Sequence, residues 1–465
     1  MSKVSVLLEV NTPVQNAFSL HAAQASSTLD AFEKAESLIA NLPAQGLDVV
    51  DDIAPIPMFD DTDEGNVGLL AAFGVSDTND DMRAKSMVVS CEVNRKQLAN
   101  LDGRDDVIVW PNSPVSPLQS CQCSAPDEQT LKPAHLFDQA NSANGVDCRP
   151  FRPGATIADI RQLLGTDAIW QRGFRGQNMV VGIIDEGVNG EVYPVVGGFS
   201  AENATLKPGE ASITSHGSMC AADVLVAAPA AKLYDYPFLG IANSGGVMSM
   251  LQAILNQRRI DGTPHLSNNS YGYTGIPSST RYPRHEIWDI NHPVNRKVRE
   301  VVASGCPALY AAGNCGEQCP SGNCHPSGIG RGDSIHAANS LKEVITVAAV
   351  NSRHERVGYS SQGPGIFEHY KPDVAGYTHL FANFGPGRPG GTRPGFDSGT
   401  SAATPVVAGV AALLMSAFPH LTPEELKSVL IMGAYNLGTP GWDADTGYGV
   451  INAAASYFLL QRGAL

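Results

Sequence analysis

The chain has 465 residues, 43% hydrophobic and only 17% charged, so it is too apolar to stay disordered and long enough for two or three folded units. Its 47 glycines and 31 prolines exclude a long coiled coil, and 46 acidic against 31 basic residues give a net charge of −15 that repels phosphate backbones and anionic membranes. Nucleic acid is therefore not an expected partner.

At the start of the chain, Val4 to Val10 is an apolar run that reads as a strand. It is too short for the apolar core of a signal peptide, and no small-residue cleavage site follows it. A helix over Ser27 to Asn41, a strand over Gly46 to Pro55, a strand over Ser86 to Glu92, a helix over Arg95 to Leu101 and a strand over Val107 to Trp110 come next. This βαββαβ order matches the split βαβ, ferredoxin-like arrangement. From Pro111 to about Pro153 the composition turns to Pro, Ser, Gln, Asn and Cys without periodicity, which marks an exposed linker. The expected organisation is a small α+β domain over residues 1–115, a linker over 116–153 and a larger domain over 154–465.

In the larger domain, short apolar runs at Met179 to Ile184, Ala231 to Tyr236, Ala308 to Ala312 and Val344 to Val350 alternate with helical stretches. They predict an α/β fold with a mostly parallel sheet covered by helices on both faces. Near the end, Thr422-Pro423-Glu424-Glu425 carries the residues of a capping box and predicts a helix start. The longest apolar run, Val406 to Met415, falls short of the roughly 18 residues a membrane span requires, so no span is expected. A cytoplasmic location is the resulting expectation, although nine cysteines, an odd number, pull the other way.

Three patterns in this domain carry possible chemistry. Val180 to Gly187 puts Asp185 at the carboxyl end of a buried strand, where open α/β sheets build their sites. Ser215-His216-Gly217-Ser218 sets a histidine before small residues that start a closely packed helix. Ser398-Gly399-Thr400-Ser401-Ala402-Ala403-Thr404-Pro405 opens an all-apolar helix with hydroxyls and a glycine. The amino end of such a helix lends partial positive charge, and glycine lets a substrate backbone come close. Singly, Asp185 is a turn former, His216 a core filler and Ser401 a helix cap. Together they stand in the order Asp, His, Ser, and Ala308 to Asn314 adds a strand that ends in a side-chain amide, the donor a developing oxyanion requires.

With these four elements the chain resembles the subtilisin-like serine peptidases, or subtilases, over roughly residues 158–456. The resemblance implies a serine endopeptidase acting on polypeptides. Ser401 would be the nucleophile, His216 the general base, Asp185 its orienting partner, and the Asn314 side chain with the Ser401 N–H the oxyanion hole. It implies that Ser270, Tyr271 and Gly272 pair with substrate backbone and that Ala311, Ala312 and Gly313 form the facing wall of the pocket before the scissile bond, with Tyr271 in place of the usual leucine. Gly358 to Pro364 and Lys371 to Val374 resemble core segments that support the fold. No cofactor is required by this chemistry; subtilases often bind calcium, but no Asp-rich loop here is assignable to it. Glu186 stands where the family has Ser or Thr and adds a carboxylate beside the triad. The N-terminal domain resembles the family's inhibitory propeptide, an intramolecular inhibitor, with the linker as its processing zone; a permanent accessory domain is the alternative. Two alternative functions keep the same residues: acyl transfer to a peptide amine, and a silent peptide-binding scaffold. Cys315, Cys319 and Cys324, followed by His325, are read as a disulfide or plain thiols ahead of zinc, so no metal ligand is assigned.

Overall fold

The computed structural model describes residues 3–11, 39–40, 42–43, 47–50, 53–58, 86–101, 104, 106–118 and 146–147, and 154–463 with short breaks at 202–203, 274, 392–394 and 439. Most of the helix expected at Ser27 to Asn41 lies outside these residues.

The N-terminal unit is an antiparallel sheet of β1 (Val4–Asn11), β2 (Asp48–Val49), β3 (Ile56–Met58), β4 (Ser86–Val93) and β5 (Val107–Pro111), with α1 (Arg95–Leu101) between the last two. The order β2-β4-β1-β5, with β3 also on β4, is that of the split βαβ motif. Alternation along β1 separates two apolar sets. Val6, Leu8 and Val10 join Val89, Cys91 and Leu101 in a core of their own, whereas Leu7 belongs to a cluster shared with the larger unit.

β6 (Ser116–Pro117) and β7 (Val146–Asp147) come from the stretch read as linker. The larger unit then supplies β8 (Ala155–Thr156), α2 (Ile157–Leu164), β9 (Val180–Asp185), β10 (Val195–Gly198), α3 (His216–Ala227), β11 (Lys232–Pro237), α4 (Ser244–Asp261), β12 (Leu266–Asn269) and β13 (Tyr271–Gly272). It continues with α5 (Pro293–Ala303), β14 (Ala308–Ala311), β15 (Ile345–Val350), β16 (Arg356–Val357), β17 (Val374–Tyr377), β18 (Leu380–Phe381), α6 (Thr400–Ala417), α7 (Pro423–Met432) and α8 (Ala453–Gln461). A nine-stranded sheet runs β10-β11-β9-β12-β14-β15-β16-β7, with β17 beside β15. All its pairings are parallel except β15 with β16. The four expected apolar strands are β9, β11, β14 and β15, and the capping box of Thr422 and Glu425 opens α7.

Two apolar clusters cover the two faces of the sheet. One gathers α3, α6 and the inner faces of β9, β15 and β17; the other gathers α4 and α5 and extends into Leu7, Ile53, Ile56, Met58, Val88 and Trp110 of the N-terminal unit. α6 exceeds the apolar run read from the sequence. It is 18 residues long and apolar enough for a membrane span by length and composition, yet it is buried against α3 and the sheet, and that burial accounts for its composition.

Candidate active site

Asp185 ends β9, His216 begins α3, Asn314 follows β14 and Ser401 is the second residue of α6, so parallel strands and two helix amino ends deliver all four to one edge of the sheet. Both Asp185 carboxylate oxygens contact His216 Nδ1, at 2.8 and 2.9 Å, and the Glu186 N–H donates to Asp185 Oδ1 at 2.7 Å. The imidazole is thereby oriented by its Nδ1 side, and Nε2 has no hydrogen-bond partner among the described residues. Cys220, one turn along α3, places its sulfur 3.6 Å from Asp185 Oδ2; burial holds its thiol well above the usual range, which leaves it an inert filler beneath the pair.

Burial pulls the His216 pKa down, but the charge and hydrogen bond of Asp185, and then the charge of Glu186, raise it on balance. Glu186 also accepts the His216 backbone N–H at 3.4 Å, at the amino end of α3. A general base must be neutral to accept a proton, so a raised pKa moves the acid limb of a pH–rate profile upward. Glu186→Ser is expected to carry that limb to lower pH; an unchanged limb in the kcat/KM profile would remove Glu186 from the account.

The Ser401 hydroxyl lies 2.7 Å from the carbonyl oxygen of Leu118 and 3.3 Å from that of Ser270. Asn314 Nδ2 donates to the same Leu118 oxygen. Asn314 is aimed by its other end, since Oδ1 accepts from the N–H and the hydroxyl of Thr400, each at 2.9 Å. Gly399 is required here: its φ is +87°, and a Cβ would stand 3.1 Å from both Leu118 O and Asn314 Nδ2. Its N–H donates to the Tyr359 hydroxyl at 2.8 Å, so the segment around Tyr359 braces the loop that carries Ser401.

The chain that reaches this cradle runs straight on from β5. Ser244 N–H donates to Ser113 O, Val115 N–H to Ala242 O and Leu118 N–H to Ser270 O, and β6 pairs antiparallel with β13 in the register Tyr271 to Pro117 and Gly272 to Ser116. Residues 113–118 thus form an extended strand between residues 242–244 and 270–272. Ser270, Tyr271 and Gly272 form the strand edge that pairs with this segment. Tyr271 turns its ring into the core, with its hydroxyl 3.2 Å from that of Tyr310 and its face near Phe238. On the facing wall, Ala312 N–H donates to Val347 O and Gly313 N–H to Thr400 Oγ1. Asn339 Nδ2 joins the two walls by donating to Tyr271 O at 3.1 Å and Ala311 O at 2.7 Å.

Sequence reading missed Leu118, Thr400 as an orienting group, and Asn339. The first had a signal, since Val115 and Leu118 are apolar residues in an otherwise polar stretch; the third had none, because only the tertiary fold brings it between the walls.

A match to the subtilase family model spans residues 176–449. The chain belongs to the subtilase family. It is 26% identical over 305 residues to fervidolysin of Fervidobacterium pennivorans, covering 63% of this chain and 42% of fervidolysin. It is 29% identical over 305 residues to subtilisin DY of Bacillus licheniformis, covering 63% of this chain and 96% of that protein. It is 27% identical over 325 residues to the serine protease AprX of Bacillus subtilis, covering 60% of this chain and 66% of AprX. The chain therefore spans less than half of fervidolysin's length. A solved structure of a lanthipeptide protease matches at a TM-score of 0.49 and 20% identity, covering 65% of this chain and 93% of that one.

The subtilase cysteine cluster resolves into a Cys315–Cys324 disulfide, which consumes two of the three thiols that a zinc site would have used. It closes a short loop directly after Asn314, and Cys324 Sγ lies 3.3 Å from Asn314 O. Chain-entropy closure of so short a loop is worth about 2–3 kcal/mol. Cys324→Ser is expected to lower Tm by about 3–5 °C, and calorimetry with and without reductant checks it.

Proposed function

We propose that this subtilase is a serine endopeptidase whose triad is Asp185, His216 and Ser401, and that it cuts its own chain between Leu118 and Gln119. One observation carries the reading: the Leu118 carbonyl oxygen is shared by the Ser401 hydroxyl and the Asn314 amide, the position a scissile carbonyl occupies. In the reaction, Ser401 Oγ moves onto the Leu118 carbonyl carbon as His216 Nε2 takes its proton, and Asp185 stabilises the imidazolium. Negative charge gathers on the Leu118 oxygen and is held by Asn314 Nδ2 and the Ser401 N–H. His216 returns the proton to the Gln119 nitrogen, the amide bond breaks, and water then releases residue 118 from the acyl-enzyme. The chemistry calls for no cofactor.

The same arrangement makes the N-terminal unit an intramolecular inhibitor, because its continuation fills the cleft. It is held by Arg296 against Glu9 at 2.7 Å, by Lys297 Nζ donating to Pro57 O at 2.7 Å and by Gly245 N–H donating to Asn112 Oδ1 at 3.0 Å. These polar bonds border the apolar cluster that Leu7, Ile53, Ile56, Met58, Val88 and Trp110 share with α4 and α5.

Intact-mass analysis of wild type and Ser401→Ala, each treated with a serine-reactive phosphonate, tests the reading. Wild type should lose residues 1–118 and take the label, and Ser401→Ala should do neither. Wild type that takes the label but stays full-length would refute self-cutting while keeping the triad, and a wild type clipped after Leu118 that takes no label would refute the peptidase.

A further inference from the structure

Upstream of the cleft the bound segment meets a buried polar cluster that takes no part in the triad chemistry. Residues 113–118 are extended, so at about 3.3 Å per residue Ser113 lies about 16 Å before Leu118, at the amino end of α4. Its backbone is pinned to a single residue: Ser113 N–H donates to Ser244 Oγ at 3.2 Å, and Ser113 O accepts from Ser244 N–H at 2.9 Å. Its buried hydroxyl is held between two side chains of the segment that joins β13 to α5. Ile287 N–H donates to His285 Nδ1 at 3.3 Å, which leaves Nε2 to carry the ring proton, 3.0 Å from Ser113 Oγ, and that hydroxyl donates to Glu286 Oε2 at 3.2 Å. Glu286 is fully buried. Burial works against its charge, but His292, His285 and the Ser244 hydroxyl hold its carboxyl below the usual range on balance, so it is a carboxylate that requires donors. Ser244 Oγ supplies one to Oε1 at 2.5 Å, and Ser113 supplies a second to Oε2. One residue pair further upstream, His292 accepts the Val294 N–H on Nδ1 at 3.3 Å and turns Nε2 to Pro111 O at 3.2 Å.

We propose that His285, Glu286 and Ser244 form a recognition pocket separate from the cleft, which takes a serine hydroxyl presented by an extended polypeptide five residues before the one that carries the scissile carbonyl. The inference rests on the reading of Leu118 as that residue. It does not follow from that reading, because the backbone bonds to Ser244 would accept any residue at position 113. The pocket discriminates by what a wrong side chain leaves behind. Alanine strands the His285 N–H and a Glu286 oxygen without their bonds in a buried site, and aspartate sets a second negative charge against Glu286.

Full-length wild type, incubated until it has processed itself, is assayed on a peptide spanning residues 107–122, on a shortened peptide spanning 114–122 that cannot reach the pocket, and on casein. The long peptide should be cut after its leucine, with kcat/KM about tenfold or more above that of the short one. Replacing its serine at position 113 by alanine should lower kcat/KM by about tenfold or more, and by aspartate about 100-fold or more. Glu286→Leu removes the acceptor and the buried charge together. That enzyme should cut the short peptide within about threefold of wild type, which also shows that it folds, and should cut the serine and alanine forms of the long peptide equally well. Wild type that cuts the serine, alanine and aspartate peptides alike would overturn the proposal and leave the peptidase reading standing. So would a Glu286→Leu enzyme that takes the phosphonate label and still prefers serine to alanine as strongly as wild type. Casein digested while the long peptide is not cut after its leucine would take the proposal down with the 118–119 assignment alone, and failure on every substrate, with Ser401 unlabelled, would remove the peptidase reading as well.

Discussion

If the proposed triad operates, Ser401→Ala and His216→Ala are each expected to lower kcat by about 10⁶-fold, and the double variant to be no worse than either, because a nucleophile and its base act as one unit. Asp185→Asn should cost less, about 10⁴, since the geometry survives and only the tautomer and the imidazolium's counter-charge are lost. The assay has to separate two causes of silence. A chain that cannot cut itself keeps residues 113–118 in its own cleft, where they are held by backbone bonds to Ala242, Ser244 and Ser270. Each variant is therefore cut after Leu118 by immobilised wild type, freed of that enzyme and of the released N-terminal piece, and only then assayed on peptide. A Ser401→Ala chain that removes its own first 118 residues, or that turns over peptide within an order of magnitude of wild type after this treatment, would sink the triad assignment.

The parts of this site that local chemistry dictates were legible in the sequence. Asp185 ends and Asn314 follows a run of apolar residues that has to be a buried strand, and His216 and Ser401 each lie in the first turn of a helix that has to be buried, so the carboxyl end of the sheet collects all four. The Glu186 carboxylate, visible as a departure from the family pattern, does raise the His216 pKa together with Asp185. The stretch after Pro111 was misjudged as exposed throughout, because its Pro and Ser content is what a linker shows. Residues 113–118 are strand-like in a way that composition does not report: their partners, 242–244 and 270–272, lie more than a hundred residues away. Val146 and Asp147, in the same stretch, escape for the same reason, since they pair with β16. Gly358 to Pro364 was read as support for the fold, and its Tyr359 and Ser361 do brace the loops that carry Ser401 and Asn314. Long-range pairing and side-chain bridges such as that of Asn339 leave no periodicity to detect.

Asn314→Ala is expected to lower kcat by about 10²–10³ with little change in KM. The split follows from when the bond matters. Asn314 Nδ2 already donates to a neutral carbonyl oxygen at Leu118, but a hydrogen bond to an ionised acceptor is about twice as strong, so most of its worth is realised as the oxygen becomes an oxyanion. Thr400 refines the test, because it touches Asn314 and not the substrate oxygen. Thr400→Val removes the hydroxyl that donates to Asn314 Oδ1 but leaves the backbone N–H that donates to the same atom, so about a tenfold loss in kcat is expected, with Thr400→Ser restoring it. Asn314→Asp is the decisive contrast. Its carboxylate can still accept both Thr400 bonds, and its second oxygen faces the developing negative charge where a donor is required, so it should be at least as damaged as the alanine variant while folding as well. If Asn314→Asp retains wild-type kcat, the amide is not an oxyanion donor and its contact with Leu118 only anchors the segment in the cleft.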